Sequence, residues 1–333
     1  MNNVENEVFI FKPFDEHQIK EEVRFVLYDM VNKCFSRMES IHPLGELKFL
    51  RKEFESHMQY KFKYQTKDNG RWRDRTKYKY LPLERETEDG LKYIYYHVNC
   101  SPYLIVIFQA LNEKPDYNYI GTLADFPVSR LYIKDDYGTK PTKATYYLGQ
   151  NKSFDIATKV NKLIEEVRIH NNLNKKDVIC VGSSKGGYAA IYHSFLGSFG
   201  YCIAGGPQVF LGEYLGKNLS NHSSVLTPIF KYLTGSLEEK DKQWANQIIP
   251  DLLERKVHEI KYNSPTTFIH VGKDEPHYKE HVLPFYNMVK EKGITNVYLD
   301  LGDYESHKEL AKHYPVYLRK SISKIINQKL VED

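Results

Sequence analysis

Asp177-Val178-Ile179-Cys180-Val181-Gly182-Ser183-Ser184-Lys185-Gly186-Gly187-Tyr188-Ala189-Ala190 is the stretch that decides the fold. A short apolar run reads as a buried parallel strand, and the Ala-rich stretch after the glycines reads as the start of a helix. Between them lies G-x-S-x-G, the pattern of a nucleophile elbow, which holds a serine on a strained strand-to-helix turn with its hydroxyl above the sheet. So tight a turn needs small residues two before and two after the serine. Gly182 and Gly186 meet that need for Ser184, whereas Ser183 would require Val181 and Lys185 there. Ser184 is therefore the candidate nucleophile. The competing reading, a Gly-rich turn that binds an anion through backbone N–H groups, lacks a P-loop's G-K-[ST], because Lys185 precedes the glycine pair.

Enzymes with this elbow order their partners Ser, then Asp or Glu, then His. Downstream, Thr266 to Val271 is strand-like and leads into Gly272-Lys273-Asp274-Glu275. Asn296 to Leu301 is another such run, leading into Gly302-Asp303-Tyr304-Glu305-Ser306-His307. Both loops follow the carboxyl end of a strand, where open α/β sheets place their sites. Asp274 fits the orienting acid, with Glu275 and Asp303 as competitors. Among 13 histidines, only His307 has both the order and the loop placement of a general base. His270 lies inside a strand, and His277, His281 and His313 fall in helical stretches. In this reading His307 takes the Ser184 proton while Asp274 fixes the ring tautomer.

Acyl transfer also needs donors for the oxyanion. One is the backbone N–H of the residue after the nucleophile, Lys185. The second comes from the loop after an early strand. Tyr103 to Phe108 is the most apolar run, and the backbone amides of Gln109 or Ala110 follow it.

The chain's 333 residues suffice for one large core, or one core with a smaller subdomain. Its first residues carry no basic and apolar leader, and no apolar run approaches a membrane span. The four cysteines are far apart with no C-x-x-C, so reduced thiols are expected rather than metal ligands. These features together predict a cytoplasmic protein with no bound metal and no membrane span. The net charge of +4 is too weak to imply a polyanion partner. Tyr60 to Tyr80 is nonetheless basic and aromatic, alternating around Asn69-Gly70 like a β-hairpin. One reading is a grip on an anionic polymer. The reading preferred is a two-faced hairpin, with aromatics inward and cations solvated, and no nucleic-acid partner.

Helical spacing over Glu16 to Met38 and again over Leu47 to Met58 predicts two helices before and around this hairpin. Residues 1–76 are thus expected to form a helical and hairpin subdomain. Residues 77–333 read as a mostly parallel sheet covered by helices on both faces. This second part opens with a hairpin turning at Asp89-Gly90, continues through strands at Tyr103–Phe108 and Val128–Asp135, and reaches the elbow after a helix capped by Ser153. Segment 210–262 shows no strand, and its apolar residues suggest a helical cap over Ser184. Tyr214 and Trp244 are its candidate substrate contacts, with a polar hinge at Asn218–Ser224.

The run from about Tyr78 to Lys329 resembles the α/β-hydrolase fold. More narrowly, it looks like the capsular polysaccharide biosynthesis proteins of the XcbB/CpsF type, and is similar to the O-acetyltransferase of the accessory Sec glycoprotein-export system. Arg130 to Asp135, Tyr146-Tyr147-Leu148-Gly149, Gly182 to Gly187, Asp274 and His307 carry that resemblance. It implies a serine acyltransferase or esterase acting on a surface glycan or its precursor, with acetyl-CoA as a candidate acyl donor and no bound cofactor. The rival expectation is a binding or assembly component of a glycan-synthesis or export complex that reuses the fold.

Overall fold

The computed structural model describes residues 8–332 apart from 18, 31, 44, 51–52, 55–59, 82–83, 218–223 and 257–262. The chain divides into two compact units, Met1–Gly90 with Ile94–Val98, and Leu91–Tyr93 with Asn99–Asp333. The expected boundary at residue 76 lies inside the first.

The first unit is built of strands: β1 (Val8–Phe11), β2 (Val23–Asp29), β3 (Cys34–Ile41), β4 (Leu47–Leu50), β5 (Tyr60–Asp68), β6 (Arg71–Asp74) and β7 (Lys79–Tyr80), with one short helix, α1 (Pro13–His17). β1 and β4 pair antiparallel, while a separate antiparallel sheet runs β3-β2-β5-β6, with β7 also on β5. The first helix expected here, Glu16 to Met38, is not formed. Val23, Phe25 and Leu27 are all fully buried at a period of two, which only a strand can present to one core. Ile19, Val23 and Val26 match helical spacing by coincidence, and the β-branched and aromatic content of the segment favours the strand. Of the second expected helix, Leu47 to Leu50 is a strand as well, and its end at Met58 lies outside the described residues.

The hairpin is formed as expected. Asn69 and Gly70 both have positive φ, 48° and 77°, as a two-residue type I′ turn requires, and Asp68 faces Arg71. Its two faces separate. Phe62 and Tyr64 join Phe11, Phe25 and Phe49 in the core of this unit. Outside, Lys61 and Lys63 lie over the Tyr78 ring, and Arg24 and Lys67 lie over Trp72. β8 (Glu84–Glu86) and β9 (Lys92–Tyr96) follow around a turn at Gly90, and β9 is divided between the units.

The second unit contains six parallel strands: β10 (Leu104–Phe108), β11 (Ser129–Ile133), β12 (Val178–Ser183), β13 (Tyr201–Gly205), β14 (Thr266–Gly272) and β15 (Val297–Gly302). They lie in the order β15-β14-β13-β12-β10-β11. Every residue of β10, β11 and β12 is buried, as strands covered on both faces must be. The chain steps outward from β10 to β11, returns to the other side of β10 as β12, and then continues outward. The order therefore reverses between β10 and β12, the position where open α/β sheets bind ligands.

Four helices follow in chain order: α2 (Asp155–His170), α3 (Lys185–Gly197), α4 (Leu211–Leu215) and α5 (Leu226–Thr234). Next come α6 (Glu239–Arg255) and the helices Leu283–Glu291 and Leu310–Glu332. Ser153 does not cap α2, which begins beyond Phe154 without a side-chain cap. Segment 210–262 holds α4, α5 and α6, while residues 218–223 of the hinge expected at Asn218–Ser224 lie outside the described residues. Among the described residues, no helix is long and apolar enough to cross a membrane.

The elbow imposes a severe steric limit. A Cβ on Gly182 would meet the Gly186 carbonyl oxygen at 2.4 Å, and one on Gly186 would meet the Phe108 carbonyl oxygen at 2.4 Å. Both obstacles are backbone, so neither yields by a rotamer change. Gly182→Ala is expected to destabilise the protein by about 1–3 kcal/mol, the usual cost of overpacking, with a lower denaturant midpoint. An unchanged midpoint would contradict this packing.

Candidate active site

β12 and β13 end level, with Ser183 beside Gly205, while β14 and β15 end level two residues further on, with Gly205 beside His270 and Gly272 beside Gly302. The residue just past β12 is Ser184, the turn past β13 begins at Gly206, Glu275 follows β14 and His307 follows β15. Parallel register thus collects four distant loops along one edge.

Ser184 has φ 54° and ψ −121°, a backbone conformation that costs a non-glycine residue free energy and marks the elbow. Its own N–H donates to the Gly205 carbonyl at 2.7 Å, which locks the turn to β13. Ser184 Oγ lies 3.0 Å from His307 Nε2. His307 is set by a local device: Ser306 Oγ accepts from the Lys308 N–H, and Glu309 Oε2 accepts from the Ser306 N–H. This capping box fixes His307 as the first residue of a helical turn. His307 Nδ1 then meets Glu275 Oε1 at 2.5 Å.

Glu275, not Asp274, is therefore the acid on the histidine. Asp274 is exposed, while Glu275 is 1% exposed and turns inward, its Oε2 accepting the Gly272 N–H at 3.2 Å. The sequence offered the two side by side, and the tight return from Gly272 decides which faces in. Burial raises the Glu275 pKa, but hydrogen bonds from His277 and His307 and the His307 charge outweigh it and hold the carboxyl down to about 2. Asp303, the other competitor, pairs with Lys273 instead.

His277 is a site residue the sequence reading assigned to a helix. Its Nδ1 lies 3.0 Å from the same Glu275 Oε1 and 2.8 Å from His307 Nδ1. The only signal available was its position two residues past the acid. Glu275, His277 and His307 place their donor atoms within 4.8 Å of one another, a spacing that a divalent cation could use. Here both Nδ1 atoms face one carboxylate oxygen, which suits a hydrogen-bonded acid shared by two imidazoles. His281 packs behind, where burial, followed by His277, Lys217 and His307, pushes its pKa down to about 3.

The oxyanion donors divide. The Lys185 N–H opens α3, where a first-turn amide has no intrahelical acceptor. Gln109 and Ala110 do not fit their expected role, because each N–H is already engaged. Gln109 donates to the Tyr147 hydroxyl at 2.8 Å, and Ala110 donates to Asn118 Oδ1 at 2.8 Å. Gln208, which the sequence reading missed, instead donates from Nε2 to Ser184 Oγ at 2.7 Å.

The Lys185 side chain runs inward, fully buried, to Asp135 Oδ2 at 2.8 Å. Thr145 supports that carboxylate through its N–H at 2.8 Å and its hydroxyl at 2.5 Å. Burial lowers the Lys185 pKa, and Asp135 opposes that shift. Of the two cap candidates, Tyr214 packs against His277 with ring centroids 5.4 Å apart. It also helps line a cavity of about 190 Å³ with Leu215, Lys217, Pro276, His277 and Glu280. Trp244 packs on Phe154 and Lys152 instead.

Solved structures of other proteins are similar to this one. The capsule O-acetyltransferase of Neisseria meningitidis serogroup A matches with TM-score 0.60 at 22% identity, over 72% of this chain and 93% of that one. The fold is that of the α/β-hydrolases. A variant of the same enzyme, solved in complex with CoA, matches with TM-score 0.58 at 22% identity, over 72% of this chain and 94% of that one. The glycosylation-associated Gap123 complex of Streptococcus agalactiae matches at 14% identity and TM-score 0.59, over 95% of this chain and 62% of that one. FphF, a fluorophosphonate-binding serine hydrolase of Staphylococcus aureus, matches at 14% identity and TM-score 0.53, over 74% of this chain and 98% of that one. No protein-family model matches the sequence, and neither does any curated protein.

The geometry separates the two neighbouring acids sharply. Glu275→Gln should lower kcat by about 10⁴-fold, as amide replacement of a triad acid does when it traps the wrong tautomer. Asp274→Asn should leave kcat within a few-fold. Equal effects, read by steady-state kinetics on an aryl acetate, would contradict the placement. The Glu275 carboxyl also titrates lower in the folded state than unfolded. Its contribution to stability is therefore complete above the ordinary carboxylate range and lost as pH falls through about 2. Glu275→Gln should flatten that acid loss in pH-dependent denaturation.

Proposed function

We propose that this protein is a serine-dependent acyl-ester enzyme of the cytoplasm that moves an acetyl or similar acyl group onto a hydroxyl of a surface polysaccharide or its precursor. The chemistry rests on one observation: Ser184 Oγ sits 3.0 Å from His307 Nε2, with Glu275 on the far ring nitrogen. In the first step Ser184 Oγ bonds to the carbonyl carbon, its proton passes to His307 Nε2, and the carbonyl π pair moves onto oxygen. Collapse ejects the thiolate or alkoxide, which leaves with the His307 proton. A sugar hydroxyl, deprotonated by His307, then resolves the acyl-serine. Glu275 holds the imidazole tautomer and stabilises the imidazolium throughout.

The substrate class draws on the likeness to a capsule O-acetyltransferase and to a glycosylation-associated complex, and the CoA-bound neighbour makes acetyl-CoA the donor to try first. In this reading α4 to α6 form the cap, with Tyr214 beside His277 contacting the acceptor. A second reading has a specific support. The Gap123 match spans 95% of this chain, well beyond the catalytic fold, which favours a member of a glycan-modifying assembly.

Three measurements test these readings. A fluorophosphonate should label the native protein, and Ser184→Ala should abolish labelling; persistence in that variant overturns the nucleophile. With acetyl-CoA and candidate oligosaccharides, acetyl transfer to sugar is expected. Hydrolysis of aryl acetate with no transfer to any sugar would make the protein an esterase. A cell carrying Ser184→Ala with unchanged glycan acetylation would support the assembly role.

A further inference from the structure

We infer that the Gln208 side-chain amide is the second oxyanion donor of this site, standing in for the backbone amides of the β10 loop. The inference rests on the serine acyl-transfer reading and names a further catalytic residue within it. Three observations carry it.

The first is occupancy. A tetrahedral oxyanion needs two preorganised donors near the nucleophile. The Lys185 N–H is one. The loop after β10, which supplies the other in enzymes with this elbow, has its two leading amides turned onto Tyr147 and Asn118. Tyr147 in turn donates to the Ile133 carbonyl at 2.8 Å, so it bridges the ends of β10 and β11 and holds the Gln109 amide away from Ser184.

The second is placement. Gly206 has φ +45° and turns the chain sharply after β13. A Cβ there would meet His307 Cε1 at 3.2 Å and Glu275 Oε1 at 3.3 Å, so the backbone of this turn passes directly against the triad. Two residues later Gln208 is fully buried, with Nε2 2.7 Å from Ser184 Oγ. It reaches the reacting atom from the β13 loop.

The third is orientation. The Gln208 carbonyl oxygen accepts from the Tyr146 hydroxyl at 3.5 Å. Burial, foremost, keeps that phenol's pKa well above its ordinary value, so it remains a donor. The amide is thereby turned with its NH₂ toward Ser184, and the serine hydroxyl proton stays directed at His307. When Oγ bonds to the carbonyl carbon it becomes a poor acceptor. The NH₂ group then transfers its hydrogen bond to the oxygen receiving the carbonyl π pair, on the same carbon. No proton leaves Gln208 in this step.

The test uses the full-length protein with Gln208→Met, which keeps the volume without a donor, and Gln208→His, which retains a ring N–H. Gln208→Met should lower kcat by about 10²–10³-fold with KM little changed, the usual loss for one oxyanion donor. Its inhibition constant for a boronic acid, which mimics the tetrahedral intermediate, should rise by the same factor. Gln208→His should recover part of both losses. Gln208→Met that keeps kcat within threefold, or loses kcat with boronate affinity unchanged, would overturn the inference. Fluorophosphonate labelling of the wild type at Ser184 keeps the two failures apart. Without it the serine reading and this inference both fall; with it, a wild-type acylation rate in Gln208→Met refutes the inference alone.

Discussion

The ion pair between Lys185 and Asp135 sits directly behind the nucleophile, and much of the site depends on it. Both groups are fully buried, where an unpaired charge is very costly and a paired one is tolerated only with full hydrogen bonding. Asp135 has that support from Thr145, and Lys185 also lies over the Tyr147 ring at 4.8 Å. Because Lys185 is the first residue of α3, anchoring its side chain also fixes the direction of its backbone N–H. One residue thus opens α3 with a first-turn amide and supplies a structural cation inward.

The short motifs outside the elbow acquire a physical meaning around that pair. Arg130 is buried and ties the Leu123 and Phe126 carbonyls together at 2.8 and 2.6 Å. Its strand delivers Asp135 a few residues on. Tyr146 and Tyr147 both adopt left-handed backbone, with φ 54° and 58°, so successive side chains diverge to different tasks. Tyr147 closes the β10 loop, and Tyr146 orients Gln208. These two segments converge with the distant elbow on the shell that holds Ser184 in place.

At the other end of the triad one carboxylate serves two imidazoles. Glu275 is 1% exposed, and against the upward pull of that burial its hydrogen bonds to His277 and His307 hold its carboxyl well below the usual carboxylate range. The neighbouring His277 satisfies the same oxygen, and Tyr214 packs on its ring from α4. Segment 210–262 is thereby in contact with the acid's second partner through Tyr214.

The sequence by itself determined the elbow, the order of the parallel unit's strands along the chain, Ser184 and His307. Those features are written locally: small residues flanking a serine, uniformly apolar runs, and a histidine in the loop after the last strand-like run. It misread the first unit because Ile19, Val23 and Val26 satisfy a helical period while Val23, Phe25 and Leu27 satisfy a strand period, and only the shared core of Phe11, Phe49 and Phe62 chooses between them. The choice of Glu275 over Asp274 was equally beyond it, since adjacent carboxylates differ only in which way the turn from Gly272 faces. Gln208 carries no local signature, and His277 only its position two residues past the acid. Their roles arise because parallel register gathers the loops after β12, β13, β14 and β15 along one edge, a constraint that exists only once the strands have paired.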